Sequence, residues 1–182
     1  MDFIPATLRL LLVAAVACAT AACSDLSEPS RPSVALTATF ESPDALARAV
    51  WDGLSRKDLN GLRAMALSES EFRQHVWSEL PVSRPERNVP FDYAWEQMKQ
   101  RSDGSLAETV GRYGGRTLRF VSTRFTGETT TYQTFSVMRE SEVIATDDTG
   151  RDLVLRLYGS AMLKDGRYKL YSFVVDWPPP LV

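Results

Sequence analysis

The chain has 182 residues, 23 of them acidic and 21 basic, for a formal net charge of −2, with 44% hydrophobic and 10% aromatic residues. This near-balance, without a basic patch or interleaved aromatic and arginine residues, argues against nucleic acid as a partner. Both cysteines, Cys18 and Cys23, lie near the N-terminus, so the rest of the chain can hold no disulfide, thiol nucleophile, iron–sulfur cluster or cysteine zinc site.

The run from Leu10 to Ser24 carries no charge. It has the length of a signal peptide's apolar core and falls short of the roughly 20 apolar residues a membrane-spanning helix needs. Small residues crowd its end, and Thr20-Ala21-Ala22-Cys23 resembles the lipobox of bacterial lipoproteins, in which a cysteine thiol is the nucleophile for lipid transfer. Ala15-Val16-Ala17-Cys18 is a rival box. Processing before Cys18 would leave an apolar core of only about eight residues and an unpaired thiol at Cys23. Processing before Cys23 leaves one cysteine, and that one lipidated. The resemblance thus implies a signal peptide over 1–22, lipid attachment at Cys23 and a membrane partner reached through that lipid. The alternative is an ordinary secreted protein with coincidental cysteines. Ser24, where an aspartate would favour inner-membrane retention, points to the outer membrane, facing the periplasm.

Residues 23–40 include "SDLSEPSRPSVALTA", rich in serine and proline and without helical or strand period, which reads as a flexible tether. Roughly 145 residues then remain, the size of one domain with a single core. The spacing predicts a helix from Ser42 as N-cap, with Pro43 at the first helical position, Asp44 in the first turn and Leu46, Val50 and Leu54 on one stripe. Asp58 caps a short second helix carrying Leu59, Leu62 and Met65. Ser68 with Glu71 forms a capping box for a third, carrying Phe72, Val76 and Leu80. After a proline loop, Phe91, Trp95, Met98, Ser102, Leu106, Val110 and Tyr113 recur every three or four residues, and Gly114-Gly115 can end that helix. Gly104 in its middle costs about 1 kcal/mol against alanine, which leaves room for a kink or break near Asp103.

From Arg116 the composition turns β-branched and aromatic: "RTLRFVSTRF", "TTYQTFSVMRESEVIAT", "DLVLRLYGSAML" and "RYKLYSFVVDW". Turns at Thr126-Gly127, Asp147–Gly150 and Lys164-Asp165-Gly166 separate them, and neighbours joined so closely should pair antiparallel. Leu153, Leu155 and Leu157 alternate and should share a buried face, opposite Arg156. Helices followed by strands give an α+β domain, N-terminal helices packed on a curved antiparallel sheet.

The opening "SPDALARAVWDGLSRKDLNGLRAM", where a helix ends in Lys57-Asp58 before a second helix, and the closing "KDGRYKLYSFVVDW" with Asp165-Gly166 and Lys169 resemble the nuclear transport factor 2-like (SnoaL-like) superfamily of cone-shaped rolls. The likeness covers residues 41–177 and leaves 178–182 as a proline-rich tail. It implies a sheet wrapped round a helix to form an apolar cavity open at one end. Some members are isomerases, cyclases or dehydratases and many are non-catalytic binding domains, so fold does not settle function.

Candidate pocket residues are His75, Tyr93, Trp95 and Tyr158. His75, the only histidine, could be a general base, or a partly buried helix residue paired with Glu71 or Glu79, each four residues away. Without histidine or cysteine partners it does not make a metal site, and the acidic turn Asp147-Asp148 lacks calcium-loop spacing. Asp92, in a first helical turn, could serve chemistry or face the helix dipole. Tyr171 and Asp176 are further counterparts of superfamily site residues, on strands. Trp51, Trp77, Trp95, Phe120, Tyr158 and Phe173 suit a pocket or a packed core. The expectation is a lipid-anchored envelope protein without a cofactor, whose non-catalytic domain binds an apolar small molecule or an envelope protein. The alternative is an envelope isomerase, cyclase or dehydratase using a cavity carboxylate or His75.

Overall fold

The computed structural model describes residues 34–175. The signal peptide, the lipobox, most of the tether, Asp176 and the proline-rich tail lie outside the described residues. Helix α1 (Pro43–Ser55) starts where the Ala45 N–H donates to Ser42 Oγ at 3.1 Å. Leu46, Val50 and Leu54 are each 0% exposed, a burial that stabilises by about 1.5–3 kcal/mol per side chain. Helix α2 (Leu59–Met65) starts where the Gly61 N–H donates to Asp58 Oδ1 at 2.9 Å. Helix α3 (Glu69–His75) carries the complete capping box: the Glu71 N–H donates to Ser68 Oγ at 3.3 Å, and the Ser68 N–H to Glu71 Oε2 at 2.8 Å.

Helix α3 stops at His75, short of Leu80, and three 3-10 turns follow at Trp77–Glu79, Pro81–Ser83 and Pro85–Arg87. Pro81 and Pro85 cannot donate to a helix and push the residues before them out of helical conformation. Helix α4 (Phe91–Tyr113) runs unbroken through Gly104. Gly115, at φ +78°, takes the left-handed conformation just beyond its end.

The four expected strand runs divide into seven strands: β1 (Arg119–Phe125), β2 (Thr129–Thr131), β3 (Ser136–Arg139), β4 (Ser141–Thr146), β5 (Asp152–Leu155), β6 (Ser160–Lys164) and β7 (Arg167–Ser172). Among the described residues these strands pair antiparallel, in the orders β1-β4-β5 and β2-β3-β6-β7. The Asp165-Gly166 turn is a hairpin as expected, with φ values of +50° and +72° that suit a two-residue mirror-image turn. Thr126-Gly127 is not one, because β1 pairs with β4 and β2 with β3. Glu140, at φ +56°, bends the chain from the four-stranded sheet into the three-stranded one, and residues 156–159 carry it back. The result is a curved antiparallel surface, open rather than closed into a barrel, with helices packed against it. At the return, a Cβ on Gly159 would lie 1.7 Å from the Val174 carbonyl oxygen, so only glycine fits.

Two cores meet under α4. One joins α1 and α2 to Leu106 of α4 and to Val143, Ala145, Leu155, Leu157, Leu170 and Phe173. The other gathers Phe72, Val76 and Trp95 with Phe135, Val137 and Met162. Leu155 and Leu157 are buried as expected, and Leu153 packs on the first core half-buried. The N-terminal half of α4 therefore serves one core and its C-terminal half the other, with the polar turn Lys99–Ser105 between them.

Residues 34–40, expected as the end of the tether, form a strap along the domain. The Val34 N–H donates to Gln74 Oε1 at 2.7 Å, and Phe40 exchanges backbone bonds with Tyr168 at 2.8 Å. Midway, the Thr37 N–H and hydroxyl donate to Glu71 Oε1 at 2.7 and 3.0 Å, while Lys169 Nζ donates to the Thr37 carbonyl at 2.7 Å and lies 3.4 Å from Glu71 Oε2. Glu71 is 1% exposed and Lys169 0%. Burial alone would raise the Glu71 carboxyl, but the donors from Ser68 and Thr37, with the Lys169 charge, outweigh it and hold it below its ordinary value. Burial likewise lowers the Lys169 ammonium, against the pull of Glu71. Here tertiary chemistry overrides a composition that reads as linker.

Candidate functional site

A cleft of ≈ 520 Å³ opens where the two cores meet, and its residues come from three directions. Helix α4 supplies Trp95, Met98, Lys99, Ser102 and Asp103; α2 and the segment after it supply Arg63, Ala66, Leu67 and Ser68; β7 and its continuation supply Tyr171 and Phe173. The helical period puts Trp95, Met98, Ser102 and Leu106 on one stripe of α4. Ser102 is the polar member of that stripe, and its hydroxyl accepts the Phe173 N–H at 3.0 Å, satisfying a backbone donor where β7 has ended. The small side chain at this point, between the two cores, leaves the room that the cleft occupies.

The walls and the rim differ in chemistry. Trp95 and Phe173 are buried and Tyr171 is half-buried, and burial pushes the Tyr171 phenol up to about 12, so it stays protonated at neutral pH. At the rim, Arg63 Nε donates to Asp103 Oδ1 at 3.1 Å and Lys99 Nζ to Asp103 Oδ2 at 2.8 Å. Burial tends to raise the Asp103 carboxyl, but these two cations outweigh it and keep it below the usual carboxylate range. A carboxylate so lowered is a weak general base and a poor proton donor near neutral pH. The rim is suited to holding charge in place, the walls to apolar contact.

Of the four pocket residues expected from sequence, only Trp95 lines this cleft. Tyr93 is 62% exposed, because it projects from the opposite side of α4. Tyr158 is 0% exposed, packs edge-on to Phe125 and lines a separate depression together with Arg139, Ser141 and Ser160. Burial raises its phenol, and the Asp44 carboxylate adds to this. His75 pairs with neither glutamate: its Nε2 donates to the Val34 carbonyl at 2.5 Å. Glu71 is taken by Thr37, Ser68 and Lys169, and Glu79 accepts from Gln133 N (2.6 Å) and Thr134 N (3.1 Å). His75 thus helps to hold the strap. Asp92 sits in the first turn of α4 with its side chain 85% exposed, 3.1 Å from Arg73, which stacks on Phe91. Asp176 lies outside the described residues. Trp51 is core, and Phe120 packs on the same cluster under Arg48.

Arg63, Lys99 and Asp103 were not among the candidates. Lys99 and Asp103 are visible in the sequence as an i,i+4 pair, the spacing of an ordinary solvated helix face. Arg63 is 36 positions before Lys99, and nothing local connects them. Among the described residues no group of three or more histidine, cysteine or acidic side chains could hold a metal ion, and no helix is long and apolar enough to cross a membrane. Compared with known proteins, the chain matches no family model, no curated protein and no solved structure.

Proposed function

We propose that this is a lipid-anchored protein of a bacterial cell envelope, tethered through Cys23 and standing at the periplasmic side of the outer membrane, whose domain binds a small molecule with an apolar body. The cleft carries this reading. Its ≈ 520 Å³ lies inside the range of small-molecule sites, and aromatic walls with a few convergent polar groups are the usual lining of such sites. A concave site favours a small ligand over a protein partner, which would need a broad surface. Helices followed by a bent antiparallel sheet support the nuclear transport factor 2-like resemblance. The anchor rests on the Thr20–Cys23 lipobox.

Two measurements test the parts separately. Mass spectrometry of the protein extracted from membranes should find a mature N-terminus at a diacylglycerol-modified Cys23, and Cys23→Ser should abolish the modification. A mature chain starting at Cys18, or an unmodified secreted one, refutes the anchor. For the cleft, octanamide titrated into the full-length protein in phosphatidylcholine nanodiscs, corrected against empty nanodiscs, should give saturable heat. Met98→Trp, which fills the cleft, should remove it. Equal binding by the filled variant refutes the site.

A further inference from the structure

We infer that the cleft selects an amphiphile with an anionic head, held by Arg63 with help from Lys99. The inference rests on the cleft reading above and deepens it. Arg63 spends only Nε on Asp103, and among the described residues its two Nη groups have no partner. Lys99 gives Asp103 one of its three N–H donors. Asp103 neutralises only one of the two cations, so the cleft lining keeps one positive charge in excess, with the guanidinium fork unoccupied. Glu96 lies near enough to pull weakly on Lys99 but does not line the cleft.

Geometry gives the charge a direction. Arg63 projects from α2 and Lys99 from α4, so the two cations face each other across Asp103, while Trp95, Met98, Tyr171 and Phe173 form the apolar interior. A ligand with a carboxylate or phosphate at one end and a hydrocarbon or ring body at the other satisfies both. The planar fork of arginine matches both heads in bidentate fashion. An amide head of the same size would leave the excess charge unmet, and an ammonium head would face it. Asp103 then positions the two cations and limits their pull.

Calorimetric titration of the full-length protein in nanodiscs, with four eight-carbon probes, tests this. Octanoate and octyl phosphate should bind at least about 10-fold more tightly than octanamide, as charge-assisted bonds do against neutral ones, and octylammonium most weakly. A clear preference between the first two distinguishes a carboxylate from a phosphate ligand. Arg63→Gln should bring octanoate down at least about 10-fold, to the octanamide level, and weaken octanamide far less. Asp103→Asn should instead tighten octanoate by several-fold, a sign that mere structural damage would not give. Lys99→Gln, at a half-exposed position, repeats the test with smaller effect. If octanamide binds as tightly as octanoate, the anionic head is wrong and the cleft reading stands. If no probe binds, both fall.

Discussion

Replacing Lys169 by methionine removes the one cation that, among the described residues, faces the Glu71 carboxylate, at a site where the two side chains are 0% and 1% exposed. Breaking a buried pair from one side costs about 3–5 kcal/mol, because the remaining charge stays desolvated. The Glu71 carboxylate would keep three donors, Thr37 N, Thr37 Oγ1 and Ser68 N, so the lower end, about 3 kcal/mol, is expected. Glu71→Gln should cost more, toward about 5 kcal/mol. It strands the ammonium on the Thr37 carbonyl alone and turns an amide N–H against one of those donors. The double variant should cost less than the sum by at least about 1 kcal/mol, since neither charge is then left alone. Urea unfolding followed by tryptophan fluorescence and far-ultraviolet circular dichroism measures all three. With a slope of about 1–3 kcal/mol/M, the Lys169→Met midpoint should fall by about 1–3 M. A cost below about 1 kcal/mol, or additivity within about 0.5 kcal/mol, would refute the reasoning.

The same carboxylate sets an acid limb. Glu71 titrates below its ordinary 4.5 in the folded chain, so its contribution is complete only above about pH 5 and is lost as pH falls from there through the folded pKa. Unfolding free energy measured across this range should fall more steeply for wild type than for Glu71→Gln; parallel curves would show that the carboxyl is not held low. Leu155→Ala, in the first core at 6% exposure, should cost about 2–5 kcal/mol. A loss under about 1 kcal/mol in denaturant would mean that the β4–β5 register is wrong.

Features encoded within a few residues were readable from sequence: the Ser42, Asp58 and Ser68 caps, the Leu46–Val50–Leu54 stripe and the Asp165-Gly166 hairpin each depend on neighbours within about one turn. The bend at Glu140 was not readable. A glutamate at positive φ carries no turn signature, so residues 130–146 read as one strand, and the pairing of β1 with β4 was hidden with it. The strap was missed for the opposite reason. Ser- and Pro-rich composition is honest about local propensity, but Glu71, Gln74, His75 and Lys169 reach it from 34 to 132 positions away. The cleft combines both difficulties. Its apolar members Trp95 and Met98 lay on a visible stripe, whereas the charged rim depends on how α2 and α4 approach each other.

The strap also determines how the domain would answer a pull from its N-terminal side. Load entering at Val34 does not reach all attachments together. It meets the Gln74 and His75 bonds first, then the Thr37 junction with Glu71 and Lys169, and last the Phe40–Tyr168 exchange at the sheet edge. Bonds loaded in series fail one after another at low force, as a zip opens, whereas strands sheared along their length resist together. Tension would therefore peel about seven residues, lengthening the linker by roughly 20 Å at 3.3 Å per residue, before it reached α1. Only the middle station holds a buried charge pair, so the extension should pause there.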